Sequence, residues 1–165
     1  SIGEPARQAL VLSVSTPLPA GEVESPSSLR RRQSVLRVLC QIGVRPNDWS
    51  SLRGLLGEED TELVVLTCVL AVKSGILEAS RPGVARLLAV AGDAPWYLME
   101  DIVQCLQGWY EFARPSIESE IERRRNAPLA ARMNDQTLRV LLRVQDSTRS
   151  RRPVEEAERK RADEP

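Results

Sequence analysis

The chain has 165 residues, enough for one domain with tails, and 23 Lys and Arg balance 23 Asp and Glu to a formal net charge of zero. Hydrophobic residues reach 42% and aromatics only 4%, so a core must be built mainly from Leu, Val and Ala. There is no histidine, which removes the usual general base and zinc ligand, and 21 of the 23 cations are arginine. An arginine bias also follows from G- and C-rich codons, so it is not in itself a sign of nucleic-acid binding.

From the N-terminus, residues 1–27 read as an extended arm and linker: ALVLSVS (9–15) alternates partly, and TPLPAGEVESPSS (16–28) is rich in Pro and Ser. The start has no basic stretch before its apolar segment, so no secretory signal is expected. Helices dominate residues 28–146. Ser27 or Ser28 can cap a helix with Val35, Leu36, Leu39 and Ile42 on one face, ending at Gly43. Asn47 or Asp48 opens a short helix through Trp49, Leu52, Leu55 and Leu56. An acidic turn (Glu58, Glu59, Asp60, Glu62) precedes Leu63–Val72, apolar nearly all round and so the central buried helix. That run is too short to cross a bilayer, and no transmembrane segment is expected.

Ser80 and Pro82 open a further helix carrying Val84, Leu87 and Leu88. Asp93 is expected to cap the longest one, through Trp96, Met99, Ile102, Leu106, Trp109 and Phe112, closing before Pro115. Residues 116–125 (SIESEIERRR) place acids first and arginines last, as a helix dipole prefers. Asn134 or Asp135 caps a final helix with Leu138, Leu141, Leu142 and Val144. Residues 147–165 form a charged tail with few large apolar side chains, expected to lack order. No internal repeat is visible. The fold class is therefore all-α, a compact multi-helix domain around one central buried helix.

The stretches SVLRVLCQIGV, WSSLRGLLG and TELVVLTCVLAVKSGILEASRPGVARLL, together residues 34–88, resemble a degenerate winged-helix core. The resemblance implies a third helix that reads DNA and a Gly-containing wing after it. This chain departs from that pattern where reading occurs: the front of the third helix is Glu58, Glu59, Asp60 and Glu62, which phosphates repel.

Charge is distributed in three blocks. Residues 1–57 carry a net +3, residues 58–113 a net −6 and residues 114–165 a net +3. The anion-binding candidates lie on the flanks: Arg30, Arg31 and Arg32; Arg123, Arg124 and Arg125; and Arg149, Arg151 and Arg152. Guanidinium forks match phosphate geometry, so the partner classes are nucleic acid and an anionic lipid surface. Arg31-Arg32-Gln33-Ser34 also has the spacing of a basophilic kinase site. Trp96, Tyr97, Trp109 and Tyr110 are the candidate self-association face.

Catalytic chemistry has little support. Cys40, Cys68 and Cys105 are scattered and read as core thiols; no metal or cofactor site is expected. The carboxylate groups Glu58/Glu59/Asp60, Glu100/Asp101 and Glu118/Glu122 could serve a small hydrolase, but solvated helix faces explain them. The expectation is a non-catalytic interaction and assembly protein, intracellular or inside a viral particle and not secreted. It would form a homo-oligomer and touch an anionic partner through its flanks, as a viral or phage structural or accessory protein would. The alternatives are a winged-helix transcription regulator and a small hydrolase.

Overall fold

A computed structural model describes residues 3–16 and 23–148, and among them every regular element is helical. The helices are α1 (Glu4–Ser15), α2 (Pro26–Ile42), α3 (Trp49–Leu52), α4 (Thr61–Lys73), α5 (Ser80–Val90), α6 (Met99–Gly108), α7 (Tyr110–Arg125), α8 (Leu129–Met133) and α9 (136–148). Short 3-10 turns at Pro46–Asp48, Arg53–Gly57, Leu77–Ala79 and Trp96–Leu98 join or extend them.

Local chemistry sets most boundaries. Ser25, not Ser27 or Ser28, caps α2, its hydroxyl accepting from Ser28 N at 3.2 Å ahead of Pro26. Gly43 ends α2 at φ +77, a conformation that excludes most side chains. The Asp60 carboxylate accepts from Leu63 N at 2.8 Å and opens α4. That helix closes in a Schellman turn at Gly75 (φ +67), with Ile76 N donating to Ala71 O and Gly75 N to Val72 O. Asp135 accepts from Leu138 N at 2.9 Å and starts α9, as its position predicts.

The packing is a two-layer stack of helical hairpins. In one layer α2, α4, α6 and α9 lie side by side and run the same way. Gln33 meets Asp60 and Val44 N meets the Ser74 hydroxyl; Tyr97 meets Glu62 and Gly108 lies against Val72; Gln136 reaches Ala91 and Ala94 and Arg143 reaches Glu100. The second layer, α1, α3, α5 and α7, runs the opposite way: Arg32 early in α2 meets Val14 at the end of α1, Arg86 late in α5 meets Glu58 before α4, and Arg124 at the end of α7 meets Asp135 before α9. Each hairpin thus buries its apolar faces against its neighbours, the principle of α-solenoids. The repeat is one of geometry: the hairpins carry no shared sequence pattern.

Helix α4 is the axis of the stack, with Glu62 through Ala71 buried without interruption, as expected for the central helix. Even its one interior hydroxyl is satisfied, Thr67 donating to Leu63 O at 2.7 Å.

Four further expectations need correction. The N-terminal arm is not extended over residues 4–15: it is α1, docked on α2 and α3, with Val11 and Val14 buried at helical spacing and Arg7 donating to Asp48 at 3.1 Å. The alternation in ALVLSVS was a helical stripe sampled over too few residues. The winged helix is not formed, because the segment expected to be a wing is α5. Pro82 lies in the first turn of α5, where no N–H is needed, and α4 is sheathed by neighbours instead of presenting a face. Asp93 does not cap one long helix; a 3-10 turn leads into α6, which ends at Trp109 (φ −105, ψ 21). Finally, α7 runs through Pro115 to Arg125 instead of stopping before it.

Candidate interaction site

The acidic front of α4 faces the arginines of α2 across the stack. Arg32 is 7% exposed; its Nη1 donates to Glu24 at 2.9 Å, its Nη2 to Glu58 at 2.5 Å and its Nε to Val14 O at 3.3 Å. One guanidinium therefore ties α1, the segment before α2 and the turn before α4 together. One helical turn further, Arg37 pairs with the buried Glu62, which also accepts from the Tyr97 hydroxyl at 3.1 Å. That hydrogen bond, with some desolvation, pushes the Tyr97 phenol above its usual range.

Arg32 is therefore withdrawn from the anion-binding set, leaving Arg30 and Arg31 exposed beside it. The sequence held the signal: Arg32, Leu36 and Leu39 follow the 4–3 spacing of a buried stripe, and consecutive helical residues point 100° apart. The kinase-like tetrapeptide is locked inside α2, where the Ser34 hydroxyl donates to Arg30 O at 2.8 Å.

The second arginine triplet divides the same way. Arg124 continues the stripe Ile117–Ile121, donating to Glu120 at 2.6 Å and through Nη1 to both Asp135 oxygens at 2.8 Å. Burial opposes ionisation of Asp135, but Arg124 and the Leu138 N–H outweigh it and hold the carboxyl below its usual value. Arg123 pairs with Glu120 from the exposed side, while Arg125 is exposed with no carboxylate partner among the described residues. Arg149, Arg151 and Arg152 lie outside the described residues.

The four aromatic candidates separate completely. Trp109 is 3% exposed and packs on Gly83, which withdraws it from any association face, while Tyr110 is half-buried against the core. Trp96 is 85% exposed and Tyr97 is 48% exposed. Their rings meet edge to face, centroids 6.1 Å apart at 88°. Tyr97 is pinned by Glu62, so Trp96 projects from a fixed base.

An open groove of about 470 Å³ lies between α3 with its following turn and the start of α5, lined by Trp49, Ser50, Arg53, Gly54, Leu56, Glu78 and Pro82. The chain direction places this groove toward the end where α2 and α4 finish, and Trp96 at the end where α6 begins. Nothing in the spacing of these residues announces the groove, which exists only once the hairpins are stacked.

The remaining chemistry is engaged in structure. Glu100 pairs with Arg143 at 2.6 Å, Glu118 with Arg114 at 2.8 Å, and Glu122 accepts from Asn126 at 3.3 Å. Asp101 is half-buried and its carboxyl is pushed up by desolvation, with Lys73 and Arg37 opposing and Glu100 adding to the rise. Burial raises Cys40 to about 11 and Cys68 to about 12, and Cys105 well above its usual value, so all three are protonated thiols at neutral pH. Among the described residues no cluster of His, Cys, Asp or Glu is placed to hold a metal, and no helix is long and apolar enough to cross a membrane. Comparison with protein-family models, curated proteins and solved structures finds no match to this chain.

Proposed function

We propose that this chain is a non-catalytic assembly protein that self-associates through Trp96 and contacts an anionic partner through the arginines its fold leaves unpaired. The observation that carries the reading is the 85% exposure of Trp96 on a base fixed by Tyr97 and Glu62. A large exposed aromatic contributes contact area at small entropic cost, with only two side-chain torsions to fix, the property of interface anchors. Stacked helical hairpins commonly serve as binding scaffolds, which agrees with this class.

The occupant opposite Trp96 is a second copy of the chain. The groove at the other end of the stack is lined by the apolar Trp49 and Leu56 together with Arg53, a set suited to an indole. A knob at one end and a groove at the other make a head-to-tail contact. The anionic contact falls to Arg30, Arg31 and Arg125, with the partner a nucleic acid or a membrane.

Mixing two variants tests this. Trp96→Ala removes the knob and Gly54→Trp fills the groove, where Gly54 has no atom within 4 Å of an added Cβ. Light scattering should find each variant monomeric and their mixture a one-to-one dimer, while the parent forms larger species. A monomeric parent, or variants that associate as the parent does, would overturn the reading, and a mixture without heterodimer would overturn the head-to-tail contact.

A further inference from the structure

We infer that the corner formed by α8 docks on an anionic lipid bilayer, with Leu129 and Met133 entering the interface and arginines gripping the headgroups. This rests on the anionic-partner reading above and names the partner.

The corner joins α7 to α9 and combines two features that rarely coincide. Leu129 and Met133 are spaced i,i+4 on one face of α8, and each is 65% exposed. A single exposed Leu is ordinary; a pair of large apolar side chains presented together on a short projecting turn is not. The second feature is charge. Residues 123–133 contain four arginines and no acid, and the intervening Ala127–Ala131 is wholly apolar. Arg125 and Arg132 are exposed without a carboxylate partner among the described residues, and Arg123 is exposed beside its pair with Glu120.

The backbone of the corner is held firmly enough to insert as a unit. Arg124 bridges α7 to Asp135 at the start of α9, Arg139 donates to Met133 O at 2.7 Å, and Gln136 clamps the turn onto Ala91 and Ala94. The ordering cost is thus met before binding. An apolar pair flanked in the chain by the exposed, unpaired Arg125 and Arg132 suits the layering of an anionic bilayer, apolar below and phosphate above. A nucleic acid would use the arginines but would admit Leu129 and Met133 only by unstacking a base step, at a cost a bilayer interface does not impose. That difference separates the two partners.

The test is co-sedimentation of the full chain with phosphatidylcholine vesicles, with and without phosphatidylserine, beside titration of a duplex DNA oligonucleotide at the same salt. Binding is expected only to the phosphatidylserine vesicles, weakening as salt rises. Leu129→Ser/Met133→Ser should weaken it at least tenfold with unchanged circular dichroism, because both side chains are exposed. Arg125→Ser/Arg132→Ser should weaken it by about fivefold per arginine removed. Vesicle binding that survives Leu129→Ser/Met133→Ser would overturn insertion. DNA binding without vesicle binding would overturn the bilayer while leaving the anionic-partner reading intact, and binding to neither would end both.

Discussion

Trp109 lies so close over Gly83 that a Cβ built on the glycine would come within 2.5 Å of the indole Cζ3 and 2.7 Å of Cη2. This approach joins the end of α6 to α5, and Cys68 of α4 borders the same contact. The indole is rigid and 3% exposed, so an added methyl has nowhere to go. Gly83→Ala should therefore cost about 1–3 kcal/mol, the usual range for overpacking. Gly54→Ala, with open space around it, should stay within about 0.5 kcal/mol of the parent. Thermal unfolding reads both. Combining Gly83→Ala with Trp109→Phe should recover part of the loss, because the smaller ring relieves the clash.

Arg32 and its two neighbours in sequence should behave oppositely. Arg32→Ala leaves Glu24 and Glu58 without their cation and Val14 O without a donor, in a site where the guanidinium is almost wholly covered. Glu58 keeps some solvent, which tempers the loss. A destabilisation of about 2–3 kcal/mol is expected by urea unfolding, below that of a fully buried pair. Arg30→Ser and Arg31→Ser should stay near the parent in stability while weakening any anionic contact. Equal effects at all three positions would contradict this division.

Asp101 gives a prediction of opposite sign to an ordinary ion-paired carboxylate. Burial raises its folded pKa above the usual 3.8, with Lys73 and Arg37 partly opposing and Glu100 reinforcing the shift. A raised carboxyl means that the fold retains a proton the unfolded chain has lost. The associated stability is fully present below the ordinary value and is lost as pH rises through the folded one. Asp101→Asn, neutral at every pH, should therefore raise Tm at pH 7 and converge with the parent below the ordinary carboxylate range. A lower Tm for Asp101→Asn at neutral pH would show that attraction to Lys73 and Arg37 outweighs desolvation.

The all-α class and the burial of α4 were legible in the sequence because both depend on local pattern: glycine stops, an acidic first turn, and an apolar run with no polar face. The hairpin stack was not, since it emerges from pairings such as Gln33 with Asp60 and Arg143 with Glu100, far apart in sequence. The site was legible in part. Clusters of arginine are visible in composition, but which member is free depends on helical phase, and phase assigns Arg32 and Arg124 to the interior stripes of α2 and α7. The aromatics follow the same logic. Trp109 falls on the stripe with Ile102 and Leu106, whereas Trp96 precedes α6 and has no stripe to join. The exposed pair on α8 has no signature in the sequence, because five residues are too few to show a period.

The three cysteines extend the pH argument to the alkaline side. Cys40 is partly covered, and Cys68 and Cys105 are buried within the core. Burial raises Cys40 to about 11 and Cys68 to about 12, with Cys105 also far up, so thiolate is scarce at pH 8. Alkylation of the native protein should label Cys40 slowly and reach Cys68 and Cys105 only at the rate of unfolding, whereas urea exposes all three. The linkage has a definite sign. Above the ordinary value of 9.0 the unfolded thiols ionise while the folded ones remain protonated, so stability should fall as pH rises from there through the folded values. Cys68→Ala/Cys105→Ala should be less stable at pH 7 because of the cavities left behind, yet lose less stability between neutral and alkaline pH than the parent. Parallel alkaline profiles for the two proteins would show that these thiols are not the groups responsible.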